Sequence, residues 1–179
     1  ILVIGLAGSF KSTQCQLLEA AGNYRWLSVG QLLRTRINDP KHVAVIENGD
    51  LLDDEIVLPM VLDIITPKEG IKTPELVLDG FPRTIAQCKW LLEQSDKLKF
   101  SITKVIHLNA SEDITRSRLL KRGRTDDRGA AIEERFNEYE STILPILDCL
   151  RGNNVSVVEI NGVGDPEAVH QEILTSLGN

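Results

Sequence analysis

Five short apolar runs, separated by longer stretches with helical spacing, constrain the fold of this chain more than any other feature. Residues 1–4, 76–78, 105–108 and 155–158 are each too short for a helix and are bounded by turn-forming or polar residues. Residues 24–27, between Gly22 and Gly30, make the fifth run. Between them, residues 11–21 carry Leu17 and Leu18 with few breakers. Residues 53–65 place Ile56, Val57, Met60, Val61 and Ile64 at intervals of three and four. Residues 132–150 repeat that spacing with Ile132, Phe136, Tyr139, Ile143 and Leu147, and Pro145 predicts a kink there. Strands alternating with helices predict a parallel sheet covered on both faces. With 179 residues and no repeat, low-complexity tract or long linker, the chain is expected to form one α/β unit.

The first run leads into Gly5-Leu6-Ala7-Gly8-Ser9-Phe10-Lys11-Ser12-Thr13. A glycine-rich turn between a strand and a helix gathers backbone N–H groups and a helix N-terminus around an anion. Lys11 would then reach the outer phosphates of a nucleotide, with Ser12 or Thr13 near a magnesium ion. An ordinary strand-to-helix turn with a surface lysine is the plainer alternative. The usual motif has glycine before the lysine, and Phe10 stands in that place. If φ there is positive, Phe10 costs about 1–3 kcal/mol of backbone strain. If the loop relaxes instead, it loses charge-assisted hydrogen bonds of about 1.5–3 kcal/mol each.

Composition narrows the partners. The net charge of −6 argues against a nucleic-acid surface, although a local cluster of arginine and lysine can reverse the potential inside a cleft. No apolar run is long enough to span a bilayer, and no basic leader or cleavage site predicts secretion. Cys15, Cys88 and Cys149 are odd in number and widely spaced, which predicts unpaired thiols in a reducing cytoplasm.

Four further segments carry chemistry. Ser28-Val29-Gly30-Gln31-Leu32-Leu33-Arg34 and Gly49-Asp50-Leu51-Leu52-Asp53-Asp54 bracket one region. Asp79-Gly80-Phe81-Pro82-Arg83-Thr84, followed by Gln87, ends an apolar strand. There Asp79 can hold a magnesium-bound water, Gly80 admits close backbone approach, and Arg83 can clamp phosphate bidentately. A plain turn is the alternative. The run from Arg118 through Arg122, Gly123, Arg124, Thr125, Asp126 and Asp127 to Arg135 is rich in arginine, and a solvated helix face is its plainer reading.

Together with Lys11–Leu18 and with Ile160-Asn161-Gly162-Val163-Gly164-Asp165 near the end, these segments resemble the adenylate kinase family over essentially the whole chain. The resemblance is to short-lid, bacterial-type members. It implies a P-loop NTPase fold, a three-layer α/β/α sandwich around a five-stranded parallel sheet in a single domain. A helical insertion for the nucleoside monophosphate would span residues 28–52, and a short lid without a zinc site residues 122–127. It implies phosphoryl transfer from ATP to a nucleoside monophosphate, with Mg²⁺, no membrane or nucleic-acid partner, and a monomer.

By the same resemblance, Lys11, Arg83, Arg122, Arg124 and Arg135 would carry the chemistry. Gly8, Ser9, Phe10, Lys11, Ser12, Thr13, Arg118, Arg122 and Gly164 would bind ATP. The acceptor would meet Val29, Arg34, Asp50, Leu51, Leu52, Gly80, Phe81, Pro82, Arg83, Gln87, Arg124 and Arg135. Thr13, and Asp79 through water, would serve the metal. The Phe81–Pro82 bond is expected to be cis.

A phosphate acceptor is already anionic, so no catalytic base is needed. Accordingly His107 is read as a core or edge residue, and His42 and His170 as exposed. Gln87 favours AMP, because it matches a residue that reads the adenine edge. Val29 stands where a hydrogen-bonding threonine is frequent, so UMP or CMP is the alternative acceptor. Phe10 leaves a second class open, a weakly active member that binds nucleotide or a partner protein.

Overall fold

The computed structural model describes residues 1–67 and 74–178. All five apolar runs are strands: β1 (Leu2–Gly5), β2 (Tyr24–Ser28), β3 (Glu75–Asp79), β4 (Val105–Asn109) and β5 (Val157–Asn161). They form one parallel sheet in the order β2-β3-β1-β4-β5. β5 begins two residues later than its apolar run. Val155 is still engaged in closing the preceding helix, its N–H donating to the Leu150 carbonyl at 3.0 Å.

The helices are α1 (Lys11–Ala20), α2 (Val29–Arg36), α3 (Pro40–Asn48), α4 (Asp54–Ile65), α5 (Ile85–Leu98), α6 (Glu112–Arg122), α7 (Gly129–Gly152) and α8 (Pro166–Leu177). Their starts follow capping chemistry. Ser28, Asp39, Thr84 and Asp165 each accept a backbone N–H of the first turn, and Pro40 and Pro166 sit just inside α3 and α8. α7 continues through Pro145. His170 lies on the inner face of α8 and is buried, and His42 on α3 is half-buried, so neither is exposed as the sequence suggested.

Helices cover both faces of the sheet. Leu2, Ile4, Leu78 and Val105 pack against Val57 and Val61 of α4, Leu91 of α5 and Ile146, Leu147 and Leu150 of α7. On the other face Val3, Val77, Ile106, Leu108 and Ile160 meet Cys15 and Leu18 of α1 and Val169 and Ile173 of α8. This is the three-layer α/β/α arrangement.

Strand order also places the site. The chain leaves β1 for β2 and β3 on one side and then crosses to β4 and β5 on the other. Crossovers therefore diverge at the carboxyl end of β1, which opens a crevice where open α/β sheets receive ligands.

Candidate active site

The crevice is a cleft of about 480 Å³ that opens beside the turn from β1 to α1. That turn is tightly enclosed. A Cβ on Gly5 would fall 2.5 Å from the Leu108 carbonyl oxygen, and one on Gly8, whose φ is +86°, would fall 2.7 Å from that of Thr115. Phe10 adopts φ 68° and ψ 18° at the N-cap of α1, so the left-handed backbone that glycine normally supplies is kept here by a phenylalanine.

The lysine that follows is turned onto its own loop. Lys11 Nζ donates to the Gly5 carbonyl at 2.6 Å and to the Leu6 carbonyl at 2.9 Å. Burial pushes its pKa down to about 8 against the opposing pull of Asp79. Ser12 Oγ donates to Asp79 Oδ2 at 2.7 Å. The hydroxyl beside Asp79 is therefore Ser12's, while Thr13 lines the same cleft. Asp79 and Ser12 bring two hard oxygens together at the end of β3, a set suited to Mg²⁺ completed by phosphate oxygens and water. Among the described residues no group of three or more His, Cys, Asp or Glu side chains could hold a metal alone.

On the opposite wall, β3 ends in Asp79-Gly80 and the Phe81–Pro82 peptide is cis, as the resemblance implies. Arg83 Nε donates to the Gly80 carbonyl at 3.1 Å. A Cβ on Gly30 would lie 3.5 Å from the nitrogens of Arg34 and 3.6 Å from Arg83 Nη2, so two guanidinium groups converge on one point. Burial, then the nearby charge of Arg124, lowers the pKa of Arg34 to about 10. A smaller recess adjoins this wall, lined by Val29, Asp50, Leu51, Leu52, Phe81 and Gln87 among others. Gln87 is buried, with Oε1 accepting the Arg83 N–H at 2.8 Å and Nε2 donating to Asp54 Oδ1 at 2.8 Å. Its amide is thus engaged with the protein.

The last residue of α6 is Arg122, the turn after it contributes Arg124, and α7 contributes Arg135; all three line the cleft. Two buried acids from the same turn neutralise this cluster. Arg122 forms a bidentate pair with Asp127, at 2.8 and 2.6 Å. Arg135 reaches Asp127 at 3.2 Å and Asp126 at 3.1 Å, and Arg34 lies 3.8 Å from Asp126. Burial pushes the Asp127 carboxyl up, but the bonds and charge of Arg122 outweigh it and hold the pKa below the usual value.

Arg118 on α6 donates to the carbonyls of Gly8, Gly162 and Val163, and its guanidinium carbon sits 3.6 Å from the centre of the Phe10 ring. Ser9 is fully buried in the loop. Neither Gly164 nor Gly162 is among the residues lining the cleft; Gly162 approaches the turn from β1 to α1, where a Cβ on it would come 3.1 Å from the Ser9 carbonyl oxygen.

Sequence reasoning singled out the cations and passed over their counter-ions Asp126 and Asp127, although two adjacent acids inside an arginine run are a visible signal. It also passed over Glu138, which lines the cleft with a buried Oε1 that makes no hydrogen bond. Burial raises its pKa despite Arg83 and Arg135 nearby. His107 is buried between Glu159 and Tyr139, bonded to both, in keeping with a core role.

The cleft therefore gathers Lys11, Arg34, Arg83, Arg118, Arg122, Arg124 and Arg135 from separate elements around one space. Such a site can hold two polyanions end to end and stabilise charge passing between them.

Comparison with known proteins agrees with that geometry. The family model described as adenylate kinase matches residues 3–155. An adenylate kinase of Synechococcus sp. (strain WH7803) is 31% identical over 182 residues, covering 99% of this chain and 97% of that protein. One of Prochlorococcus marinus (strain MIT 9313) is 34% identical over 168 residues, 90% of each chain. One of Leptospira biflexa serovar Patoc is 28% identical over 186 residues, 99% of this chain and 98% of that protein. With its parallel sheet, its glycine-rich turn and its ring of arginines, the chain belongs to the adenylate kinase family of nucleoside monophosphate kinases.

Proposed function

We propose that this chain transfers the terminal phosphoryl group of ATP reversibly to AMP, giving two molecules of ADP. The observation that carries this reading is the gathering of Arg34, Arg83 and Arg135 beside the smaller recess, in one cleft with Lys11, Arg118 and Arg122. One cationic group suits an acceptor phosphate and the other suits a triphosphate. In this reading Lys11 leaves the Gly5 and Leu6 carbonyls to follow the transferring phosphoryl group. Arg83 orients the acceptor, Arg122 and Arg135 exchange their carboxylate partners for phosphate oxygens, and Arg124 adds its charge beside them. Most of the rate comes from alignment and fixed charge, since the acceptor oxygen carries its own negative charge. Asp79 and Ser12 would hold Mg²⁺, which when bound withdraws charge from the phosphates.

The relatives are named adenylate kinases, which supports AMP as the acceptor, and the three free thiols suit a cytoplasmic setting. A pyrimidine monophosphate is the second reading of the acceptor. Gln87 already spends its amide on Arg83 and Asp54, and Val29 offers no hydrogen bond to a base. A coupled assay with ATP and each of AMP, CMP, UMP and GMP tests both readings. AMP is expected to give the highest kcat/KM; a clear preference for CMP or UMP would overturn the acceptor, and no transfer to any of them would overturn the activity.

A further inference from the structure

Phe10 and Arg118 make a contact that phosphoryl transfer itself does not require. Arg118 is held in its plane by three carbonyl groups, those of Gly8, Gly162 and Val163. A guanidinium fixed in this way leaves only its flat faces for further contact, and such faces bind aromatic rings. Phe10 lies on one of them, 3.6 Å from ring centre to guanidinium carbon. Both side chains line the cleft, so the stack is part of its wall.

Its place along the cleft is specific. The phosphate-facing cations Lys11, Arg83 and Arg135 lie close enough together to influence one another's charge. Arg118 instead reaches the loop after β5, where Val163 is exposed. An apolar side chain beside a flat cation suits the base of a nucleotide rather than its phosphates. A nucleobase is itself an aromatic ring and would seek the same guanidinium face.

We propose that Phe10 sets donor selectivity in this chain: its ring holds a face of Arg118 that a donor nucleobase would otherwise take, so a nucleoside triphosphate must break the stack to bind, whereas an inorganic polyphosphate need not. This rests on the donor assignment above and deepens it. Two effects of the Phe10 side chain are then separable. Its Cβ and left-handed backbone act on the phosphate cradle, while its ring acts on the base.

Calorimetric titration of ATP, inorganic tripolyphosphate and AMP into the native chain, Phe10→Leu and Phe10→Gly distinguishes them. Leucine keeps the Cβ and removes the ring. Phe10→Leu is expected to tighten ATP by about three- to thirtyfold, the equivalent of one ring–cation contact, and to leave tripolyphosphate and AMP unchanged. Phe10→Gly is expected to tighten tripolyphosphate as well. Equal or weaker ATP binding by Phe10→Leu would overturn the proposal, as would an equal gain for ATP and tripolyphosphate in that variant. Transfer of phosphate by the same proteins is read separately. If Phe10→Leu gains ATP affinity but no variant phosphorylates any monophosphate, the stack stands and the kinase reading fails. If transfer proceeds and ATP affinity is the same in both chains, the kinase reading stands and the stack fails.

Discussion

The two halves of the cleft are built on the carboxyl end of the same sheet, yet they stand in different states. In the half proposed for the acceptor, Arg83 is braced by the Gly80 carbonyl and by Gln87 on its backbone, and Arg34 converges with it beside Gly30. In the half proposed for the donor, Lys11 is bonded to its own loop and Arg118 is covered by Phe10. Both halves offer cations that must first give up internal contacts, Arg34 the carboxylate of Asp126 and Lys11 the carbonyls of its own loop. The halves therefore differ in what is given up, a carboxylate on one side and backbone carbonyls with an aromatic ring on the other.

Substitutions can break or sharpen this contrast. The largest effect is expected at Arg83, which lines both the cleft and the acceptor recess. Arg83→Ala should lower kcat by at least about a hundredfold while thermal unfolding stays near that of the native chain. Steady-state kinetics with circular dichroism checks it, and retained turnover would remove Arg83 from the site. Phe10→Gly should lower the KM for ATP by about ten- to a hundredfold and leave the KM for AMP unchanged. Equal gains for both nucleotides would erase the contrast between the halves.

Next in size is a pH effect. Lys11 is charged below about 8 and neutral above it, so in the ligand-free chain ATP affinity should fall as pH rises through that value. From pH 7 to pH 9 the loss should approach about tenfold, and Lys11→Arg should flatten it. Titrations at the two pH values test this; a parallel loss in AMP affinity would point to a different group. The smallest effect concerns Asp126, which competes with the acceptor phosphate for Arg34 and Arg135. Asp126→Asn should tighten AMP by up to about fivefold. Weaker AMP binding would mean that the carboxylate positions Arg34 instead.

The sheet was legible because each strand carries a short cluster of apolar residues, as strands of a parallel sheet covered on both faces do. The helices were less so. α6 is rich in charge, and α3 buries none of its residues completely, so neither carries a clear apolar stripe. For α3 it is a cap, Asp39 accepting the Lys41 N–H, rather than periodicity that marks where the helix begins. In the site, arginines were legible by motif, because phosphate recognition fixes their type and spacing. Which hydroxyl meets Asp79 depends on the helical phase of α1, and here Ser12 rather than Thr13 faces it. Gln87 illustrates the opposite limit: its identity suggested base reading, while its partners Asp54 and Arg83 come together only in the folded chain.

Asp126 and Asp127 give the cleft a different relation to its surroundings from that of an open basic patch. Their carboxylates are tethered, so their effective concentration beside Arg34, Arg122 and Arg135 does not change with the buffer. A phosphate arriving there swaps places with a built-in anion instead of displacing a cloud of salt ions. Binding to this half of the molecule should accordingly depend only shallowly on ionic strength, far less than the number of arginines alone would suggest.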